Sequence, residues 1–236
     1  MRPKSPALSG LFGLVLLPEE GEIWYTNREM TSDKTTKTVV VGMSGGVDSS
    51  LTAALLKEQG YAVIGVYMRN WSEPIKGVEH CPWVQDQFDA RRVAEQLEIP
   101  FYTVNFEDEY KQHVINAFFS DYAAGRTPNP DVLCNRFIKF DAFYVYARSL
   151  GADCIATGHY AQVIDGHLCK GVDQKKDQSY FLWAIQPEVL RRVLFPLGGM
   201  TKLQVRDVAM ARGLATATKK DSQGICFIGQ ADVRDF

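Results

Sequence analysis

Residues 41–50, VGMSGGVDSS, place two adjacent glycines, three serines and an aspartate between an apolar run and a helical pattern. Gly45 and Gly46 let the backbone approach an anion closely and take positive φ. Ser44, Ser49 and Ser50 supply hydroxyl donors, and a helix starting near Ser49 would aim its amino-terminal amides and dipole at the same point. The string lacks the lysine of G-x-x-x-x-G-K-[ST] and is not G-x-G-x-x-G. Asp48 has two readings. A carboxylate beside phosphates repels them unless a cation such as Mg²⁺ bridges the two, and an aspartate at this place is also an ordinary helix N-cap.

Two more stretches hold chemistry-bearing side chains in polar segments bounded by glycine or proline: GRTPNPDVLCN (125–135) with Cys134, and DSQGICFIG (221–229) with Cys226. Each cysteine also reads as a small packed hydrophobe. Cys81, Cys154 and Cys169 read as packing residues, and in EHCP (79–82) the histidine and cysteine make two nitrogen or sulfur ligands, too few for a zinc site. Five cysteines with no C-x-x-C argue against a disulfide framework or a zinc ribbon and for a reducing compartment, with a cytoplasmic location as the expectation.

The elements that must position these residues alternate. TVVVG (38–42) is a β-branched run without polar alternation, as in a strand buried on both faces. A helix over SSLTAALLKEQG ends at Gly60. YAVIGVYM (61–68) is the next strand, DQFDARRVAEQLEIP a helix striped by Ala90, Val93, Ala94 and Leu97, and FYTVNF (101–106) a third strand. Val114, Ala117, Phe118 and Tyr122 stripe another helix. After the two-proline loop, a helix runs from about Phe137 to Leu150, and DCIATGHY (153–160) is a strand entering a glycine turn. This alternation predicts an α/β fold: an open, mostly parallel twisted sheet with helices on both faces. Ligands of such sheets bind beyond the carboxyl ends of the strands. The Gly42 loop, Met68 and Thr157-Gly158-His159 all fall at such ends. The remainder reads as a hairpin around Asp165-Gly166 and a helix with a Thr201/Gln204 capping box and a stop at Gly213.

The 236 residues suffice for one good core, and a formal net charge of −2 announces no nucleic-acid partner by itself. The apolar LSGLFGLVLL (8–17) is too short to span a membrane and is followed by PEEGE rather than a cleavage site. Residues 1–36 are expected to be an extension outside the fold, Met30 standing as a natural start, and residues 37–236 the catalytic domain.

SGGVDSS after a buried strand matches the loop of N-type ATP pyrophosphatases (adenine nucleotide α-hydrolase-like). The wider set GMSGGVDSS, GRTPNPDVLCN, ATGHYA, KKDQSYFLW, FPLG and DSQGICFIG resembles the catalytic part of the tRNA-specific 2-thiouridylases from about Lys37 to Phe236. That resemblance implies ATP with Mg²⁺, tRNA as partner, a persulfide donor protein upstream, no membrane, and additional tRNA-gripping domains beyond Phe236. It implies ATP phosphates along Gly42, Met43, Ser44, Gly45, Gly46, Val47, Asp48 and Ser49, with Met68 and Gly158 on the adenine and ribose side. Asn129, Pro130 and Asp131 would contact the target uridine; His159, Lys176, Asp177 and Gln178 would contact tRNA. The implied reaction activates the uridine C2 oxygen as an adenylate. Cys226 then delivers persulfide sulfur, by direct attack or as hydrosulfide, and Cys134 is the partner thiol able to form a transient disulfide with it. A persulfide needs a thiolate, and Lys219 and Lys220 are placed to lower the pKa of Cys226. Asp131 reads equally as a general base, an orienting group or a turn residue. Two rivals stand beside this reading: a nucleotide-binding fragment without full catalysis, and an ATP-dependent ligase or sulfurtransferase acting on a small molecule.

Overall fold

The computed structural model describes residues 36–72 and 82–221. β1 (Thr38–Gly42) leads through a four-residue loop into α1 (Val47–Glu58), and β2 (Ala62–Arg69) is followed by α2 (Pro82–Gln96) and β3 (Phe101–Asn105). A helical excursion follows: α3 (Glu107–Tyr110), a π-helical stretch (Lys111–Ile115), α4 (Asn116–Ala123), α5 (Pro130–Leu133), a second π-helical stretch (Cys134–Ala142) and α6 (Phe143–Ser149). The chain re-enters the sheet as β4 (Cys154–Ala156), makes the hairpin β5 (Ala161–Ile164) and β6 (His167–Lys170), passes α7 (Pro187–Leu190) and β7 (Val193–Leu194), and closes on α8 (Lys202–Ala211).

The main sheet has the order β3-β2-β1-β4-β7, and all four of its pairings are parallel. From β1 the chain steps outward to β2 and β3, then returns to the other side of β1 as β4. The strand order therefore reverses between β1 and β4, which is where such sheets open a ligand crevice. Val39, Val40 and Val41 are fully buried, as a strand covered on both faces requires. On one face Val40, Val66 and Ile155 pack with Tyr110, Val114, Cys134, Ile138, Phe140 and Phe143 of the helical excursion. On the other, Val39 and Val41 pack with Ala53 and Leu56 of α1 and Ala90, Val93 and Ala94 of α2. α8 lies along α1, Val205 and Ala209 meeting Leu51, Ala54 and Leu55.

The parallel sheet, the helices on both faces and the hairpin follow the sequence reading; Asp165 and Gly166 take the positive φ of a tight two-residue turn. Three details differ. α1 begins at Val47 rather than near Ser49. The helix expected from Phe137 begins at Pro130, because Asn129 caps it through Oδ1 on the Val132 amide and Pro130 suits a first turn. Tyr122, expected on a buried stripe, is half exposed at the end of α4. The expected extension over 1–36 lies outside the described residues except for its last residue.

Candidate functional site

The loop after β1 is built to leave room. Gly45 has φ of +77°, and a Cβ there would stand 2.1 Å from the Asp86 carbonyl oxygen of α2, so only glycine fits. Gly46 is the N-cap of α1 and no side chain caps the helix. The aspartate-as-cap reading of Asp48 is thereby set aside: Asp48 lies inside the first turn, and the helix amino end with its dipole is open to an anion. Ser44 and Ser49 are tied to one another, the Ser44 amide donating to Ser49 Oγ at 3.1 Å and the two hydroxyls standing 3.3 Å apart. Ser50, taken from sequence as another hydroxyl donor, is instead fully buried. It donates to the Gly46 carbonyl and accepts from Thr216 Oγ1 at 2.8 Å.

Across the switch point, Gly158 touches the same helix end. A Cβ on it would come within 2.9 Å of the Asp48 carbonyl carbon and the Ser49 nitrogen, so the Thr157-Gly158-His159 turn abuts α1 only because residue 158 lacks a side chain. Gly42 closes β1 under Met68, whose Cε would be 3.0 Å from an added Cβ, and Met43 is buried with its amide on the Val66 carbonyl. Gly42, Met43, Ser44, Gly45, Gly46, Val47, Asp48, Ser49 and Gly158 are thus gathered at one point, with Met68 behind Gly42.

Asp48 carries an unexpected partner. Lys202 Nζ of α8 lies 2.7 and 2.8 Å from its two carboxylate oxygens, and the Tyr160 hydroxyl donates to Oδ1 at 2.7 Å. Lys202 also reaches Asp221 at 2.9 Å, which Lys176 and Arg206 share at 2.9 and 2.6 Å. Burial works against the Asp221 charge, yet hydrogen bonds from Lys176 and Lys202 hold its carboxyl well below the usual range. Burial and then the Asp48 carboxylate push the Tyr160 phenol far up, so it donates rather than ionises. Lys202 thus brings a cation from α8, over 150 residues downstream, to the first turn of α1, where Asp48 and Asp221 hold it.

Lys219, named from the sequence as a neighbour of Cys226, is engaged on the glycine loop. Its Nζ bonds the Gly45 carbonyl at 3.0 Å and the carboxylates of Asp86 and Asp89 at 2.7 and 2.6 Å. Burial disfavours its charge, but the two aspartates more than offset this and its pKa is raised. A cation held by two carboxylates braces the glycine loop against α2. Cys226 and Cys81 lie outside the described residues.

The uridine-side and tRNA-side residues fall as follows. Asn129, Pro130 and Asp131 form the exposed to half-buried first turn of α5, and Cys134, one turn on, is fully buried at the start of the π-helical stretch. Such π turns recur at functional sites, and nothing in the local periodicity announces this one. His159 is 9% exposed, with Nδ1 2.8 Å from Thr157 Oγ1 and its ring against Phe140 and Phe195. Burial first, and the Lys139 charge second, hold its imidazole well below the ordinary value, so it is a neutral packed residue in this conformation. Asp177 accepts from the Gly171 amide and from Ser179, while Gln178 exchanges hydrogen bonds with the Tyr160 backbone. Both brace the turn behind Gly158, and Lys176 is engaged on Asp221. Cys154 and Cys169 are free thiols, the former raised in pKa chiefly by burial, in keeping with packing roles.

The residues described here hold no cluster of three or more histidine, cysteine or carboxylate side chains suited to a metal. Asp48, the residue proposed to meet Mg²⁺, has both oxygens on Lys202.

A family model described as "tRNA methyl transferase HUP domain" matches residues 37–230. The chain belongs to this family. It is 55% identical over 213 residues to the tRNA-specific 2-thiouridylase MnmA of Streptococcus thermophilus (strain ATCC BAA-491 / LMD-9), covering 88% of this chain and 56% of the relative. It is 57% identical over 202 residues to the protein of that name from Shouchella clausii (strain KSM-K16), covering 84% and 55%. The chain therefore spans about half the length of the curated relatives it matches. Among solved structures, the HUP fold seen here is shared with a 4-thiouridine synthetase in an RNA complex with bound ATP, at TM-score 0.54 and 21% identity over 82% of this chain and 46% of that one. Among the described residues no helix is long and apolar enough to cross a membrane.

Proposed function

We propose that this chain carries the adenylating and sulfur-transferring part of an enzyme that converts a tRNA uridine, at the wobble position, to 2-thiouridine. The observation that supports it most directly is the open, side-chain-free amino end of α1 at the switch point, in a chain 55% identical to a 2-thiouridylase. ATP phosphates occupy the loop from Gly42 to Ser49, with Lys202 as the neighbouring cation. Mg²⁺ bound with the nucleotide would neutralise phosphate charge, and among the described side chains Asp48 would help hold it, on releasing Lys202. Met68 and Gly158 border the adenine and ribose.

The uridine C2 oxygen attacks the α-phosphorus, and pyrophosphate leaves with the electrons of the broken P–O bond. The former carbonyl oxygen is now part of a good leaving group. The terminal sulfur of a Cys226 persulfide forms a bond to C2, by direct attack or after release as hydrosulfide, and AMP departs with the old C2 oxygen. Attack of the Cys134 thiolate on the Cys226 sulfur breaks the S–S bond and leaves a Cys134–Cys226 disulfide, which a thiol reductant returns to two thiols. Asn129, Pro130 and Asp131 stand on the base side, and Asp131 orients the uridine or takes its proton. Because Cys134 is buried, the step requires the Cys226 segment and the base to reach it within the site. A persulfide-carrying protein in the cytoplasm is the upstream partner, and tRNA the substrate.

The test is thiolation of a uridine-bearing tRNA with ATP, Mg²⁺ and a persulfide donor by the wild type, Cys226→Ser and Cys134→Ser. The wild type forms 2-thiouridine with stoichiometric AMP, and neither variant does so while Cys226→Ser still binds ATP. Full 2-thiouridine formation by either variant would overturn the thiol assignment.

A further inference from the structure

Two buried amide side chains at the carboxyl edge of the sheet have polar atoms with nothing to bond. Asn70 directly follows β2 and is 1% exposed, yet both its Nδ2 and its Oδ1 lack a hydrogen-bond partner. Asn135, adjacent to Cys134, is 3% exposed. Its Nδ2 donates to the Phe181 carbonyl at 3.3 Å, and its Oδ1 is unpartnered. Leaving a buried donor or acceptor unmade costs far more than a satisfied one contributes, so such groups mark a missing water or ligand.

The neighbours of Asn70 show which cluster it adjoins. Ile64, Val66 and Met68 pack in the cluster that contains Cys134, whereas Tyr67 packs on the α2 side and Arg69 lies over Trp83 of α2. Asn70 lies just past the end of β2, between Met68 and Trp71, both of which pack in the Cys134 cluster. Three orphaned atoms thus belong to segments packed in the cluster of the thiol the proposed reaction uses.

Their chemistry is specific. Donation to the Phe181 carbonyl fixes the Asn135 amide, so its free atom is an acceptor. Asn70 is unconstrained and offers a donor and an acceptor. The Watson–Crick edge of uracil presents O4 as acceptor and N3–H as donor beside O2. We infer that Asn135 Oδ1 accepts from uracil N3–H and Asn70 Nδ2 donates to O4, reading the target base while leaving O2 free for adenylation. Cytosine puts its N3 lone pair against the Asn135 oxygen and is rejected. This rests on the 2-thiouridylase reading, and it assigns the base's identity to residues other than Asn129, Pro130 and Asp131.

The experiment compares wild type, Asn70→Leu and Asn70→Asp by three measurements: melting temperature, affinity for a non-hydrolysable ATP analogue, and equilibrium binding and thiolation of anticodon stem–loop RNAs with uridine or cytidine at the target position. Leucine matches asparagine in shape and removes the orphaned atoms, so Asn70→Leu melts at or above the wild type. A base pair read by two hydrogen bonds carries roughly 5- to 150-fold discrimination. Both variants are expected to lose uridine-RNA binding or turnover within that range and to lose preference over cytidine, with ATP-analogue affinity within twofold of wild type. An equal loss of ATP-analogue affinity would reassign Asn70 to the adenine and overturn the inference. So would unchanged uridine preference, or a lower melting temperature for Asn70→Leu with unchanged RNA binding, which marks a structural amide. If the wild type binds uridine RNA selectively but does not thiolate it, the proposed function fails while this assignment stands.

Discussion

Replacing Lys202 with methionine keeps most of the side chain's apolar volume and removes the cation that joins Asp48 to Asp221. Nζ sits within 2.8 Å of both Asp48 oxygens, and the lysine is 13% exposed while the two carboxylates are about one-third exposed. Fully exposed pairs contribute about 0.2–1 kcal/mol, and breaking a buried pair costs about 3–5. Intermediate burial places Lys202→Met at about 2 kcal/mol, which for a chain of this size lowers the melting temperature by roughly 4–8 °C. Asp48→Asn retains an acceptor for the Tyr160 hydroxyl and costs less, about 1 kcal/mol. The double variant costs less than the sum, because the pair's coupling of about 1 kcal/mol is lost only once. Chemical denaturation of the four proteins at one pH and salt concentration measures the cycle. The phosphate role is read from the same proteins: ATP with Mg²⁺ raises the wild-type melting temperature more than that of Lys202→Met, through binding linkage. Strict additivity, or an equal ATP-induced shift in both, would refute the reasoning.

Three other outcomes follow from the same geometry. Gly158→Ala drives a methyl into the Asp48–Ser49 backbone, so the variant folds but loses at least about tenfold in ATP affinity, as isothermal titration would show. Lys219→Met frees Asp86 and Asp89 beside each other and releases Gly45; a loss of about 1–3 kcal/mol and faster proteolysis near the glycine loop are expected, partly reversed by Asp86→Asn. His159 has a lowered folded pKa, so the unfolded chain takes up the proton first; its contribution is fully present at pH 7 and is lost as pH falls below about 6.5 toward the folded value. Urea titrations at pH 7 and 5.5 detect that loss in the wild type and not in His159→Gln.

The sheet was legible because its information is local and repetitive: β-branched runs, helical stripes and glycine stops recur at short range, and they sufficed to bring the Gly42 loop, Met68 and Gly158 to one edge. The hairpin at Asp165-Gly166 and the Thr201/Gln204 box were legible for the same reason, each being a contact between near neighbours. What escaped reading lies in distant side-chain pairs. Lys202 finds Asp48, and Lys219 finds Gly45, only after α8 packs on α1, and neither lysine differs in type from a solvated surface residue. The family resemblance named Asp177 and Gln178 as RNA contacts; their internal bonds to Gly171, Ser179 and Tyr160 were not legible in the sequence. Asn70 was invisible because a single asparagine after a strand ordinarily caps a turn; its significance comes from burial without a partner.

The ion cluster around Asp221 also sets a leash. Asp221 is bound by Lys176, Lys202 and Arg206, and through Lys202 it is joined to Asp48 at the nucleotide loop. Cys226 follows five residues later. A fully extended chain covers at most about 3.6 Å per residue, so its Cα stays within about 18 Å of that of Asp221 in any conformation. Confinement to so small a volume corresponds to an effective thiol concentration on the order of millimolar or above. The proposed sulfur delivery would then be an intramolecular search over a short radius, and weakening the Asp221 cluster would lengthen the leash without touching either cysteine.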